Sequence, residues 1–165
     1  MKSEDKNNKK KSRNSELVSA SAVAVNFTLH SPLSALRIVD ANLNRCREGL
    51  RVVEDVLRYI FDDAVLYKKI RSVRHNTDKI LRDKYASLIS SRDSVSDAGR
   101  KIPETLKKDL PGIVAANFKR AQESLRVLEE YSKAVYPKAS AEFKKQRYSL
   151  YQIEKKTLRY LPYCI

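Results

Sequence analysis

The sequence predicts an all-α fold: an antiparallel bundle of about four long helices, built from two duplicated hairpins related by pseudo-twofold symmetry. Three observations carry this expectation. The chain is 33% charged with only 3 Gly and 5 Pro in 165 residues, a composition suited to long helices. Its apolar residues recur at alternating spacings of four and three. Residues 41–55, ANLNRCREGLRVVED, return as 116–130, ANFKRAQESLRVLEE, with eight of fifteen positions identical at an offset of 75. Unrelated segments would share roughly one.

Taken in order, residues 1–30 form a basic, flexible tail and 31–165 a single helical domain. The first fourteen residues carry six Lys or Arg and two acids, so the net +14 of the chain leaves +10 for the rest. An excess of this size points to an anionic partner. The uncharged stretch Leu17–Leu36 follows this basic start in the order of a targeting signal, but its Ser, Asn, Thr and His make it too polar to insert. Val23, Val25, Phe27 and Leu29 alternate as in an extended arm. No membrane span is expected, and the chain reads as cytoplasmic.

Ser31-Pro32 opens the first helix, which runs to about Phe61. Val39, Leu43, Cys46, Leu50, Val53, Leu57 and Ile60 make its inner stripe. Cys46 on that stripe reads as a small buried hydrophobe; with Cys164 far away, neither a zinc site nor a disulfide framework is supported. Asp62-Asp63 makes a tight junction and caps a second helix over about 64–89, with Leu66, Ile70, Val73, Ile80 and Leu81 inward. The Ser/Asp-rich stretch 90–103 is a loop, followed by a short turn at 104–108. Asp109-Leu-Pro-Gly starts a third helix that ends near Val135, with Val114, Phe118, Ala121, Leu125 and Leu128 as its seam. Pro137 breaks it, and a fourth helix covers about 139–160. Repeat one is then about 35–89 and repeat two about 109–160, and the echo of KKIR (68–71) in KKQR (144–147) extends the duplication.

The repeated polar residues border the core. Asn42, Arg45 and Glu48, and their counterparts Asn117, Arg120 and Glu123, step along one edge of each seam; Arg51, Glu54, Arg126 and Glu129 fall on the outer side or the other edge. Two such borders can face each other across a groove, where arginine suits phosphate and a partly buried glutamate suits proton transfer or magnesium. The same i, i+3 spacings also describe plain helix ion pairs. Glycine-loop nucleotide sites are excluded, because Gly49, Gly99 and Gly112 fit neither the Walker nor the Rossmann pattern.

The segment RIVDANLNRCREGLRVVEDVLRYIFDD (37–63) resembles the opening motif of a helical domain usually fused ahead of thiamine phosphate synthase. The match continues through IRSVRHN (70–76), RDSVSDAG (92–99), ANFKRAQESLRVLEEYSK (116–133) and FKKQRYSLYQIE (143–154). That resemblance implies a monofunctional hydroxymethylpyrimidine phosphate kinase, which uses ATP to convert the monophosphate to the diphosphate and leaves the free alcohol untouched. The loop departs from the family's usual RDTxxDVGT: Arg92, Asp93, Asp97 and Gly99 are kept, while Ala98 and Arg100 differ. No synthase barrel follows Ile165, so a stand-alone kinase, or one that docks to a separate thiamine phosphate synthase, is expected.

Phosphoryl transfer needs charge neutralisation, a metal and an aligned acceptor. Arg45, Glu48, Arg120 and Glu123 are the expected catalytic residues. Arg51, Arg74, Arg92, Arg126 and Arg147 are expected to bind phosphate, while Asp93 and Asp97 are expected to meet Mg²⁺. His75 either binds phosphate or sits as a surface residue, and Asn42 and Asn117 either read the pyrimidine edge or tie helices together. A homodimer would let a second subunit complete the site. Two other classes stay open: a scaffold in which the ladders are only ion pairs, and a nucleic-acid-binding module, against which the repeated glutamates count.

Overall fold

In a computed structural model the described residues are 32–103 and 109–161, and all of their regular structure is helical. The expected tail over 1–30, its alternating arm and the short turn at 104–108 lie outside the described residues. Five α-helices follow in order: α1 Pro32–Tyr59, α2 Ala64–Ile80, α3 Tyr85–Ser90, α4 Leu110–Val135 and α5 Pro137–Thr157. Single 3₁₀ turns lie at Arg82–Lys84 and Leu158–Tyr160.

The α1–α2 junction follows from its two aspartates. Asp62 takes a left-handed φ of 48°, a conformation Asp tolerates better than most residues. The amide of Asp63 then reaches back to the Leu57 carbonyl at 3.0 Å, closing the end of α1. The Asp63 carboxylate accepts from the amides of Val65 and Leu66, both at 2.9 Å, and so caps α2. Its other oxygen accepts from Arg159 and from the Tyr160 hydroxyl, while Phe61 stacks on Tyr160 with ring centroids 4.6 Å apart. This ties the C-terminal turn to the start of α2.

The Leu66 amide, first, and then the Tyr160 and Arg159 bonds hold the Asp63 carboxyl below the usual carboxylate range. A depressed folded pKa means that its contribution is present above the unfolded value, about 3.9, and is lost as pH falls through the folded one. Thermal melts of Asp63→Asn against wild type should therefore show a gap at neutral pH that closes below about pH 4. A gap independent of pH would place the effect elsewhere.

Several boundaries differ from expectation. The first helix stops at Tyr59 rather than Phe61, so Ile60 leaves the stripe and is 54% exposed. The single helix expected over 64–89 is interrupted after Ile80 by the 3₁₀ turn before α3. Pro137 does not simply end a helix: after one linking residue, Tyr136, it starts α5, because the first helical position needs no amide donor.

The helices are joined in a ring of neighbours. Arg47 pairs with Asp78 at 3.0 Å between α1 and α2, and Gln122 donates to Glu154 at 2.6 Å between α4 and α5. The α2 and α5 helices pack on each other as well. α1 and α4 meet at Gly49, where an added Cβ would lie 2.9 Å from the Asn117 carbonyl oxygen and 3.6 Å from Ala121 Cβ. Between them lies a core of Val39, Leu50, Leu57, Ile70, Phe118, Leu125, Phe143 and Leu150, all within 1% of complete burial. Cys46 belongs to this core, as the sequence indicates, and burial pushes its thiol up to about 12.

The contact at Gly49 yields a sign that helix propensity alone gets wrong. Gly49→Ala should gain about 1 kcal/mol of propensity, yet it must push the α4 backbone away, an overpacking cost of about 1–3 kcal/mol. The expected net result is a modest loss of stability in urea titration; a stabilised variant would show that the crossing yields freely.

Candidate functional site

Two grooves flank α1 and gather Arg45, Glu48, Arg51, Arg74, Arg120 and Glu123 of the charged residues singled out from the sequence. The first, about 550 Å³, lies between α1 and α4 and is lined by Asn42, Arg45, Ala116, Lys119, Arg120, Glu123, Ser124 and Val127. It brings Arg45 and Asn42 from one repeated segment against Arg120 and Glu123 from the other. The second, about 450 Å³, is lined by Asn44, Arg47, Glu48, Arg51 and Val52 of α1 with Arg74 of α2. Glu48 therefore does not join Glu123: Glu48 of α1 lines the groove toward α2, whereas Glu123 of α4 lines the groove toward α1. His75 is exposed beside the second groove, its Nε2 3.2 Å from the Arg74 guanidinium.

The asparagines have a local role first. Asn42 Nδ2 donates to the Ile38 carbonyl at 2.9 Å, and Asn117 Nδ2 donates to the Ile113 carbonyl at 2.8 Å. Each amide thus bonds one turn back on its own helix. The Asn117 carboxamide oxygen is buried and meets no partner among the described residues.

The largest difference from expectation concerns Glu54 and Glu129. Helical projection leaves Glu54 on the outer side or the other edge of the seam; the structure buries it to 1% exposure and Glu129 to 5%. Residues of α2 reach Glu54 and a residue of α5 reaches Glu129, which one helix's periodicity cannot report. Arg74 Nε meets Glu54 at 2.7 Å, with Arg71 and Arg51 at 3.7 and 3.6 Å. Arg147 donates to Glu129 through Nε at 3.1 Å and a terminal nitrogen at 2.7 Å, and Arg126 adds a bond at 3.0 Å. A hydrogen bond to the Tyr151 hydroxyl, and then the Glu129 pair, raise the Arg147 pKa above its ordinary value. Arg74, Arg126 and Arg147, expected as phosphate ligands, are therefore first of all the partners that make two buried carboxylates tolerable.

The loop residues are similarly engaged. Arg92 forks onto the buried Asp40 with two bonds, at 2.7 and 2.8 Å, anchoring the loop to α1. Asp93 Oδ1 accepts from the amides of Val95 and Ser96, and Arg37 lies 3.7 Å from its other oxygen. The Ser96 amide chiefly, with Arg37 assisting, holds the Asp93 carboxyl below its usual range. Asp97 accepts from the Gly99 amide at 2.8 Å. Among the described residues no three His, Cys, Asp or Glu side chains group closely enough to hold a metal. The donor set thus does not suit a resident ion. It suits Mg²⁺ that arrives with phosphate, keeps most of its waters and takes one or two carboxylates from the protein.

Asp40, Arg47 and Lys119 also line or brace these sites and were not singled out from the sequence. Lys119 stands within the repeated segment, where the duplication itself marks it: it is the counterpart of Asn44, another groove residue. Asp40 and Arg47 find partners 52 and 31 positions away, at distances no local pattern encodes.

Comparison with known proteins matches residues 37–156 to the ThiD2 family. The chain is 42% identical over 119 residues to a thiamine-phosphate synthase of Synechococcus sp. (strain CC9605), covering 72% of this chain and 34% of that protein. A thiamine-phosphate synthase of Synechocystis sp. is 38% identical over 127 residues, covering 75% and 36% respectively. One from Rhodopirellula baltica is 37% identical over 122 residues, covering 72% and 32%. The chain thus spans about a third of the length of these curated relatives. No solved structure matches. None of the helices among the described residues is long and apolar enough to cross a membrane.

Proposed function

Because the chain belongs to the ThiD2 family, we propose that it acts in thiamine biosynthesis, as the kinase that uses ATP to convert hydroxymethylpyrimidine monophosphate to the diphosphate. The observation that carries this reading is the α1–α4 groove, which Arg45, Lys119 and Arg120 line together with one carboxylate, Glu123, between two repeated segments. Three cations and a single acid favour a multiply charged phosphate ester.

We read the two halves as duplicated hairpins about a pseudo-twofold axis. Arg47–Asp78 and Gln122–Glu154 are equivalent pairs at offsets of 75 and 76, and so are Glu54–Arg71 and Glu129–Arg147. On this reading each hairpin supplies one edge of the phosphate-binding groove, and the two buried ion pairs hold the edges apart.

The chemistry asks little of the protein as a base. The acceptor is an ionised phosphate monoester; one of its oxygens forms a bond to the γ-phosphorus as the bond to the β-bridging oxygen breaks, releasing ADP. Arg45, Lys119 and Arg120 neutralise the acceptor and the moving phosphoryl group, which would otherwise repel each other. Glu123, beside them, orients the arginines or receives a metal-bound water. A magnesium ion bound with the nucleotide would offset charge on its phosphates, and Glu123 of the groove, or Asp93 and Asp97 of the loop, would hold its waters.

Purified protein supplied with Mg-ATP and the pyrimidine monophosphate should form ADP and the diphosphate, and should leave the free alcohol untouched. Folded, helical protein without turnover would overturn the kinase reading. A second reading, a non-catalytic partner of a thiamine phosphate synthase, is favoured by one observation: Arg74, Arg126 and Arg147 are engaged by buried glutamates. It predicts no ATP consumption and a stable complex with the synthase.

A further inference from the structure

A third groove, about 360 Å³, lies between α2 and α5 and shares no residue with the two that flank α1. Lys69 of α2 and Lys145 and Lys156 of α5 line it, with Ser72 and Ser149, and no carboxylate does. Its floor holds an anomaly. The buried stripe of α5 runs Ala139, Phe143, Gln146, Leu150, Ile153, so a carboxamide sits where its neighbours are apolar. Gln146 is only 6% exposed and lines the groove, and its carboxamide is not one of the fully buried, unpartnered polar groups among the described residues, so the little surface it keeps opens on the groove.

We propose that this groove is a second ligand site, for a small phosphorylated molecule no larger than a mononucleotide, and that Gln146 bonds its neutral part. The volume lies within the range of small-molecule pockets. Ammonium groups act as point charges toward phosphate, and serine hydroxyls donate to its remaining oxygens. The carboxamide offers two donors and an acceptor on the groove's wall, beside the lysines. The site is independent of the kinase reading: its ligand would bind on helices that do not line the α1–α4 groove.

The test is an NMR titration of the full chain with uridine monophosphate as probe, a phosphate joined to a neutral hydrogen-bonding part, following backbone amides and the Gln146 side-chain amide. A saturable shift of that side-chain amide is expected, weakened about tenfold by Lys145→Met, which corresponds to about 1.4 kcal/mol. Gln146→Leu should abolish saturable binding in this groove and leave the melting temperature equal to or above wild type, because the carboxamide holds no other part of the fold. Binding here should persist in Arg45→Ala, which separates this site from the α1–α4 groove. Shifts confined to residues around Arg45 and Arg120, or no saturable shift at millimolar probe, overturn the proposal. So does a Gln146→Leu variant that melts well below wild type, since the carboxamide would then be structural.

Discussion

Arg45→Ala is expected to lower diphosphate formation about 10²–10³-fold, the usual consequence of removing one preorganised donor from a transferring charge. The side chain is exposed and lies in the α1–α4 groove. Its removal disturbs no buried contact, so helical content and melting temperature should stay at wild-type values. The loss should fall on kcat as well as KM, because repulsion between acceptor and phosphoryl group is greatest as they approach. Arg45→Lys separates charge from geometry: a point charge restores part of the rate but not the planar fork. An Arg45→Ala enzyme that turned over normally would remove the α1–α4 groove from the mechanism. It would leave the α1–α2 groove, with Arg47, Arg51 and Arg74, as the place to look.

The largest effect on stability is expected at Arg147→Ala. Glu129 is buried, and Arg147, itself only 11% exposed, supplies its two bonds from the neighbouring helix. Removing the guanidinium leaves a buried carboxylate with Arg126 as its remaining hydrogen-bonded partner, a side chain that is 53% exposed. Breaking one side of such a pair costs about 3–5 kcal/mol, which for a chain of this size corresponds to a drop on the order of 10 °C in melting temperature. Replacing both partners by apolar residues, Glu129→Leu with Arg147→Met, should recover most of the loss, because the pair's attraction and its desolvation nearly cancel. A single variant that melts within a degree or two of wild type would mean that Glu129 reaches solvent or protonates at little cost. The double variant also bears on function: stability restored without activity would assign the pair a role in shaping the site beyond holding the helices.

The two expectations depend on different kinds of information. Arg45 and Arg120 stand in a duplicated segment, and their place on the edge of the seam follows from counting along one helix. The same counting identifies the apolar stripes, the Asp63 cap and the Asp109 cap, which accepts from the Gly112 amide at 2.7 Å. These features are legible because a helix repeats every 3.6 residues or so and its caps act within three residues. Counting fails where a second helix decides. Glu54 and Glu129 look like exposed ladder members until α2 and α5 cover them. Glu48 and Glu123 hold equivalent places in the repeat, yet α1 has a neighbour on each side and the two glutamates enter different grooves.

The sequence by itself determined that the described residues are helical, which apolar positions make up most of the inner stripes, and that one segment is used twice, since each is a matter of local period or direct repetition. Only the tertiary structure decided which arginines neutralise buried glutamates and how closely α1 approaches α4 at Gly49. It also decided that Gln146, on the buried stripe of α5, borders the α2–α5 groove. The physical reason is one of range: backbone periodicity acts over a few residues, whereas burial and ion pairing depend on side chains brought within about 4 Å across the bundle.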